Sequence, residues 1–219
     1  MKALIWRVFD PTDKGYSKDI LDSASLSWLE SEINYSKKIR ATGQWEACIK
    51  APFDYSLPVP VEYATRFQPP GFQRNAFYSS YLPKTSVFET VFHFMSFRKA
   101  SSGTFSSHDS EKCLFSVNWE DKSAVDLSED QDIQSIMDKS DYEAAHNWIR
   151  ANSSVSSIIY PSCRDPENNK NVSTLKIETL GHYTETKERL YYSYHVDHTM
   201  IQASGKFELP KKVLWQQVS

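Results

Sequence analysis

Short apolar runs separated by turn residues predict that β-strands form the core of this chain. Residues 3–9 (ALIWRVF) form the first run, which Asp10 and Pro11 close. Four more strands are predicted at 75–80, 113–119, 123–127 and 157–160. The last part of the chain predicts two antiparallel strands and a C-terminal tail, with the strands at 172–180 and 189–196.

Apolar residues spaced three or four positions apart predict helices between these strands. The spacing from Leu26 to Ile33 predicts a helix over 26–38, and a second helix begins at Thr85 or Ser86. Two further helices are predicted over 129–140 and 141–151. With no repeat and no domain boundary, the pattern predicts one α+β domain over residues 1–219.

Two segments outside these elements predict loops of different kinds. Five prolines among aromatic residues between positions 51 and 71 predict a packed, functional loop, because the segment is too apolar for a flexible linker. Residues 101–110 and 164–171 carry the small and polar residues of ordinary surface loops.

Composition excludes several classes of protein. The net charge of -3 gives no overall field for nucleic acid or an anionic membrane, and the short basic cluster Lys37, Lys38, Arg40 is interpreted as a solvated face. Three widely spaced cysteines indicate neither a disulfide framework nor a zinc site, which favours the cytoplasm. The N-terminal residues lack the features of a signal peptide, and no run of residues is long and apolar enough to span a membrane. Thirty aromatic rings, 12 Phe, 12 Tyr and 6 Trp, stand against 6 Gly and favour pockets built from rings.

No phosphate loop, dinucleotide-binding, zinc-protease or hydrolase motif is present, so candidate chemistry rests on polar residues within apolar segments. Arg7 interrupts the first strand and either pairs with an anion or points outward to solvent. Arg66 and Arg74 precede Tyr78, a combination that suits a diphosphate beside a stacked base but is also common on surfaces.

Glu89 has two interpretations. With Ser86 it matches the capping box S-x-x-E, in which the carboxylate only stabilises the start of a helix. It also lies four residues before His93 on an otherwise apolar helix, so that both side chains can face a cleft. A carboxylate there suits the stabilisation of an oxocarbenium-like transition state next to a sugar.

Two later segments carry further candidates. Ser162 follows an apolar strand, where serine is also ordinary turn chemistry, and Cys163 is interpreted as a small buried thiol rather than a nucleophile. On a strand, His195 and Asp197 would share one face and His198 the other, which leaves a metal site without a third ligand motif.

Together these pieces resemble the RES domain family, which is named for its Arg, Glu and Ser. The resemblance runs in order from about residue 5 to residue 165 through LIWRVF, APFDYSLPVPVEYATRF, NAFYSS, TSVFETVFHF and IIYPSCR. The C-terminal strands of the predicted domain follow over 172–219.

The resemblance implies a fold and an activity. The fold is a split mixed β-sheet with flanking helices like that of ADP-ribosyltransferases, with a cleft for NAD. The activity is cleavage of the nicotinamide–ribose bond of NAD, by a glycohydrolase or phosphorylase that acts as the toxin of a toxin–antitoxin pair. A protein antitoxin is then expected to cover the active site. ADP-ribosyl transfer to a specific protein target and a non-catalytic binding module are the alternatives.

The resemblance also assigns residues to roles, with NAD as the substrate and no metal. Three residues are expected in catalysis: Glu89, Arg7 and Ser162. Three are expected to bind NAD: Arg66, Tyr78 and Arg74. Tyr78 would stack on nicotinamide, and Glu89 would accept a hydrogen bond from the ribose hydroxyl as charge develops at the anomeric carbon. Tyr142 and Glu143 stay open as alternatives to Ser162 near the site.

Overall fold

A single open β-sheet forms the centre of the protein. The computed structural model describes residues 1–9, 49–53, 58–61, 64–73, 75–100 and 108–219, and every structural statement here refers to them. Their strands are β1 (Lys2–Phe9), β2 (Phe77–Ser80), β3 (His108–Glu120), β4 (Val125–Asp126), β5 (Ser157–Pro161), β6 (Lys170–Thr174), β7 (Leu180–Tyr194), β8 (His198–Ala203) and β9 (Lys212–Leu214). They lie side by side in the order β4-β5-β6-β2-β1-β3-β7-β8-β9, and β4 and β5 run parallel.

Helices flank this sheet. The helices that lie wholly within the described residues are α1 (Pro83–Ala100), α2 (Ile133–Ile136), α3 (Glu143–Ala151) and α4 (Trp215–Val218), with short 3-10 turns at Ala51–Phe53 and Ile177–Thr179. The predicted α+β class with a mixed sheet is therefore confirmed. Among the described residues, no helix combines the length and apolar character that crossing a membrane requires.

Alternation of side chains along the strands gives the sheet two distinct faces. On one face, Trp6 and Val8 of β1 pack with three residues of α1, namely Val87, Val91 and Met95. On the other face, Ile5 packs with Phe77 of β2 and with Phe115, Val117 and Trp119 of β3.

The α1 face carries a second apolar cluster farther along the sheet. Ile158 and Tyr160 of β5 pack there with α2 and α3, whereas Ile159 between them faces the opposite side. Strands β6 and β2 lie between β5 and β1 in the sheet. Polar side chains of β2 and β6 on this face therefore lie between two apolar clusters.

Helix α1 begins at Pro83, earlier than the predicted start at Thr85 or Ser86. Proline suits the first helical position, because the N–H it lacks would have no partner there. Ser86 consequently lies inside the helix, where its Oγ accepts a hydrogen bond of 3.1 Å from the backbone N–H of Val8.

The helix predicted over 129–140 is wrong for most of its length. Only Ile133–Ile136 is helical, and turns flank it on both sides. Asp130 Oδ1 accepts a 2.8 Å hydrogen bond from the N–H of Asp132, and Asp138 Oδ1 accepts one of 2.7 Å from Ser140. Such local bonds offer the backbone an alternative to helix, which the apolar spacing does not reveal.

The strands predicted at 172–180 and 189–196 have different bounds in the structure. Strand β6 ends at Thr174 and pairs with β2 and β5, and β7 extends from Leu180 to Tyr194 and pairs with β3 and β8. Residues 195–197 form the hairpin turn between β7 and β8, so the prediction that they lie on a strand is wrong. The predicted C-terminal tail contains β9 and α4.

The structure confirms the packing predicted for the proline-rich loop, corrects the end of the loop predicted over 101–110, and does not describe the first predicted helix. Described parts of the proline-rich segment are packed as predicted, with Phe67 fully buried and the N–H of Gly71 bonded to the carbonyl of Val59 at 2.9 Å. The loop predicted over 101–110 already belongs to β3 from His108 onward. The predicted helix over 26–38 lies outside the described residues.

Candidate active site

Two side chains that lie far from Glu89 in the sequence bind its carboxylate. Its Oε1 accepts hydrogen bonds from Ser162 Oγ and from Asn171 Nδ2, each at 2.6 Å. Because α1 begins at Pro83, Glu89 lies in the second turn and not at the position where a capping box acts. The interpretation of Glu89 as a helix cap is therefore wrong.

Asn171 is fixed in one orientation. Its side chain is 2% exposed, and its Oδ1 accepts a 2.7 Å hydrogen bond from the hydroxyl of Ser80, its neighbour across the strands. An ionised carboxylate can only accept hydrogen bonds, so the amide nitrogen must face Glu89. Sequence reasoning missed Asn171, although its alternation with buried Val172 signals a polar side chain on the α1 face.

Ser162 acts as a fixed donor. Its side chain is 1% exposed, and its Oγ accepts hydrogen bonds from the backbone N–H groups of Arg164 at 3.1 Å and Asp165 at 2.9 Å. With both acceptor positions occupied, the hydroxyl hydrogen points toward Glu89. A hydroxyl in this arrangement orients the carboxylate and is poorly placed to be a nucleophile.

We call the polar residues on this face of the sheet the polar seam. They are Glu89, Ser80, Asn171 and Ser162, together with Tyr78 of β2. Both hydrogen bonds to the Glu89 carboxylate end on Oε1, and none of the described residues donates to Oε2. The side chain is half-buried. One carboxylate oxygen is thus anchored, and the other is available to a hydroxyl of a ligand.

Tyr78 shares this face of the sheet. Its hydroxyl lies 2.7 Å from Thr65 Oγ1 and accepts a 3.1 Å hydrogen bond from the N–H of Phe67. Burial raises the pKa of Tyr78 to about 12, although the hydrogen bonds with Thr65 and Phe67 act in the opposite direction. The hydroxyl is thus neutral and bonded internally.

Arg66 is bound to the protein itself. Its Nη1 donates to the carbonyls of Ile136 at 2.6 Å and Asp138 at 2.8 Å, at the C-terminal end of α2. Its guanidinium carbon lies 4.7 Å from the centroid of the Tyr142 ring, and Nη2 donates to Cys163 Sγ at 3.7 Å. Arg66 thus contacts both Tyr142 and the residue that follows Ser162. A cation at this end of a helix is favourable because the last carbonyls have no partner within the helix.

Arg7 is not brought together with Glu89. It alternates with Trp6 and Val8 along β1, so it projects from the face opposite α1, and its guanidinium lies 4.6 Å from the centroid of the Phe77 ring. Arg74 lies outside the described residues.

Arg164, which follows the same predicted strand as Ser162, is a second buried cation. Its guanidinium carbon lies 3.5 Å from the centroid of the Phe92 ring, and Nη1 donates to the carbonyl of Val218 at 2.9 Å. Phe92 stacks in turn on Trp215 of α4, with 5.7 Å between the ring centroids. Its position in a turn resembles that of many surface arginines, so the sequence gives no signal for its burial.

Cys163, His195 and His198 are the remaining candidates from the sequence, and each contacts other residues of the protein. Cys163 is half-buried rather than buried as predicted, and its Sγ donates to the carbonyl of Met137 at 3.1 Å. Desolvation by burial raises the pKa of the thiol. His195 and His198 stack with 4.5 Å between ring centroids at the hairpin turn. Within the described ranges, no three His, Cys, Asp or Glu side chains form a group suited to a metal ion.

Comparison with known proteins identifies the family. A family model described as the RES domain matches residues 38–189, which is more than half of the chain. The protein therefore belongs to the RES domain family. A search of curated proteins returns no significant match.

Comparison with solved structures finds a weak similarity. A structure described as the M. tuberculosis MbcT–MbcA toxin–antitoxin complex contains a chain that is 10% identical, with 84% of each chain covered and a TM-score of 0.40.

Proposed function

We propose that the protein cleaves the nicotinamide–ribose bond of NAD, with Glu89 as the catalytic residue. The observation that carries this proposal is the Glu89 carboxylate, anchored through Oε1 by Ser162 and Asn171 while Oε2 accepts no hydrogen bond from the described residues. Membership of the RES domain family supports NAD as the substrate.

The chemical step needs charge stabilisation more than acid catalysis. The bond between the anomeric carbon and nicotinamide breaks, and its electron pair leaves with nicotinamide as a neutral molecule. Positive charge develops on the sugar, which a carboxylate fixed beside a ribose hydroxyl stabilises without having to reorganise. An oxygen of water, phosphate or a protein then bonds to the anomeric carbon, and an attacking hydroxyl group or water loses its proton.

The charges around the polar seam suit an anionic substrate. Arg66 and Arg164 are 9% and 4% exposed, and both donate to backbone carbonyls. Within the described residues, neither guanidinium makes an ion pair with a carboxylate. Two positive charges held next to Cys163 and Ser162 favour a diphosphate at this end of the sheet.

Roles for the other predicted residues follow from their positions. Ser162 is a positioning residue that acts through Glu89, because its hydroxyl is buried and fully bonded. The ring of Tyr78 stacks on nicotinamide in this proposal, while its hydroxyl stays bonded to the protein. The predicted contacts of Arg7, Arg66 and Arg74 with NAD stay predictions.

The experiment is NAD cleavage by purified protein, with and without inorganic phosphate, and with the products separated by chromatography. We expect nicotinamide release by the wild type and a loss of about a hundredfold or more in Glu89→Gln, which keeps the shape and removes the charge. Glu129→Gln is the matched control, since Glu129 is exposed and does not belong to the polar seam. ADP-ribose or its 1-phosphate then identifies the acceptor.

We propose, on the basis of family membership, that the protein acts in the cytoplasm as the toxin of a toxin–antitoxin pair. A protein antitoxin would cover its active site. Expression of the wild type without a partner is expected to stop growth and deplete NAD, and Glu89→Gln is expected to be harmless. Growth arrest with intact NAD would instead favour ADP-ribosyl transfer to a specific protein or a binding function.

A further inference from the structure

A second contact joins the same two elements as the contact between Ser162 and Glu89. Thr85 Oγ1 donates a 2.6 Å hydrogen bond to Asp165 Oδ2, and the two residues are 0% and 3% exposed. Thr85 lies one helical turn before Glu89, so both project from the same side of α1. Asp165 and Ser162 lie in one turn, since the N–H of Asp165 donates to Ser162 Oγ at 2.9 Å.

The Asp165 carboxylate holds this turn in a single shape. Oδ2 also accepts from Asn169 Nδ2 at 3.0 Å, and Oδ1 accepts from the N–H of Glu167 at 3.0 Å. The first turn of α1 carries no acidic residue of its own, and Asp165 supplies a negative charge there from across the fold. The positive end of the helix dipole favours that arrangement.

We propose that Thr85 and Asp165 are positioning residues for catalysis, which set the distance from Ser162 to Glu89 and thereby the direction of Oε2. This proposal rests on the proposed function of Glu89. Neither residue touches the substrate, because both side chains are buried and bonded to each other. A displacement of about 1 Å in a catalytic group costs on the order of a hundredfold in rate, so a small shift of the turn has a large effect.

The first test compares substitutions at two threonines of α1. Thr85→Val removes the hydroxyl, Thr85→Ser keeps it, and Thr90→Val removes a hydroxyl that bonds only within the helix, to the carbonyl of Ser86. We expect kcat for NAD cleavage to fall about tenfold or more in Thr85→Val with KM within about twofold of the wild type. Thr85→Ser is expected to restore kcat, and Thr90→Val to leave it unchanged.

The second test does not depend on activity. Backbone N–H groups of Arg164 and Asp165 bond to Ser162 Oγ, so their hydrogen exchange reports the shape of the turn. We expect faster exchange at these two positions in Thr85→Val and wild-type exchange in Thr85→Ser and Thr90→Val. Asp165→Asn, which removes the charge, takes the place of Thr85→Val if that variant does not fold.

The two tests separate failure of this proposal from failure of the proposed function. A wild type that releases no nicotinamide would remove the proposed function, while exchange would still show whether Thr85 holds the turn. Wild-type exchange in Thr85→Val would overturn the proposal. Faster exchange with unchanged kcat in an active enzyme would overturn it as well, because the turn would then have no effect on catalysis.

Discussion

Ser162 Oγ donates a 2.6 Å hydrogen bond to Glu89 Oε1 although 73 positions separate the two residues in the chain. The contact joins α1 to the residue that directly follows β5 of the sheet. Asn171 of β6 donates to the same oxygen. The carboxylate is therefore oriented by two strands at once, and its direction depends on the fold as a whole.

The two donors to Glu89 are expected to act as a unit. Ser162→Ala and Asn171→Ala should each lower kcat about tenfold, because one anchor alone leaves the carboxylate free to rotate. For the same reason, the double variant should lose less than the product of the two single effects. Steady-state kinetics on the four proteins measures this coupling.

Ser135→Ala is the control for these variants, since Ser135 is exposed on α2. Fully multiplicative losses in Ser162→Ala and Asn171→Ala would show that the two donors act independently and would contradict their common role on Oε1.

Stability at high pH should depend on Tyr78. Burial raises its pKa from 10.0 to about 12, so the neutral hydroxyl is favoured in the folded state. Its contribution to stability is complete below pH 10 and is lost as the pH rises through about 12. Denaturant unfolding of Tyr78→Phe at several pH values should therefore show a shallower decline above pH 10 than the wild type.

Tyr191→Phe provides the comparison, because Tyr191 is 46% exposed. Equal declines in Tyr78→Phe and the wild type would contradict the role of the Tyr78 hydroxyl in stability at high pH.

Tyr78→Phe also distinguishes the role of the ring from that of the hydroxyl. If the ring contacts nicotinamide, KM for NAD should stay within about twofold of the wild type in Tyr78→Phe and rise about tenfold in Tyr78→Ala.

Arg66 is expected to matter for folding. Arg66→Lys keeps the charge but loses the fork that donates to the carbonyls of Ile136 and Asp138. We expect the free energy of unfolding to fall by about 2 kcal/mol, the scale of hydrogen bonds to a buried charged group. Urea unfolding measures the loss, and a variant as stable as the wild type would show that the two carbonyl contacts contribute nothing.

The stack of Trp215 on Phe92 should keep Arg164 in place. Trp215→Ala removes this stack and the cation–π contact with Lys99, whose Nζ lies 4.9 Å from the ring centroid. We expect a loss of about 2 kcal/mol in the free energy of unfolding, less than for a fully buried ring, because Trp215 is half-buried. Trp215→Phe should recover part of that loss, and no difference between the two variants would argue against stacking as the cause.

Local patterns predicted the strands better than their partners. The apolar run at residues 3–9 predicted β1 almost to its ends, because a buried strand needs such a run wherever it lies in the sheet. The pairing of β6 with β2 depends on contacts about 90 positions apart, such as Ser80 with Asn171, and spacing along the chain carries no information on them. The strands predicted at 172–180 and 189–196 are both in antiparallel pairs, but the sequence did not predict which strands are their partners.

The residues of the candidate site likewise differ in whether the sequence predicted them. Glu89 and Ser162 came from a family resemblance, and the structure brings them together. The site roles of Asn171, Thr85 and Asp165 were not predicted, because these residue types are ordinary in and near turns. Only the fold shows that all three are buried, that Thr85 bonds to Asp165 and that Asn171 bonds to Glu89. Arg7 was expected to take part in catalysis, and strand alternation places it on the face of the sheet opposite α1. Its role stays a prediction.

The most direct test of the account measures NAD binding and nicotinamide release on the same sample of Glu89→Gln. If Glu89 stabilises the charge that develops in the transition state, NAD should bind within about threefold of the wild-type Kd while release slows about a hundredfold or more. Release at the wild-type rate from bound NAD would contradict the central claim. A loss of binding with an unchanged maximal rate would contradict it as well, since Glu89 would then hold the substrate without taking part in the reaction.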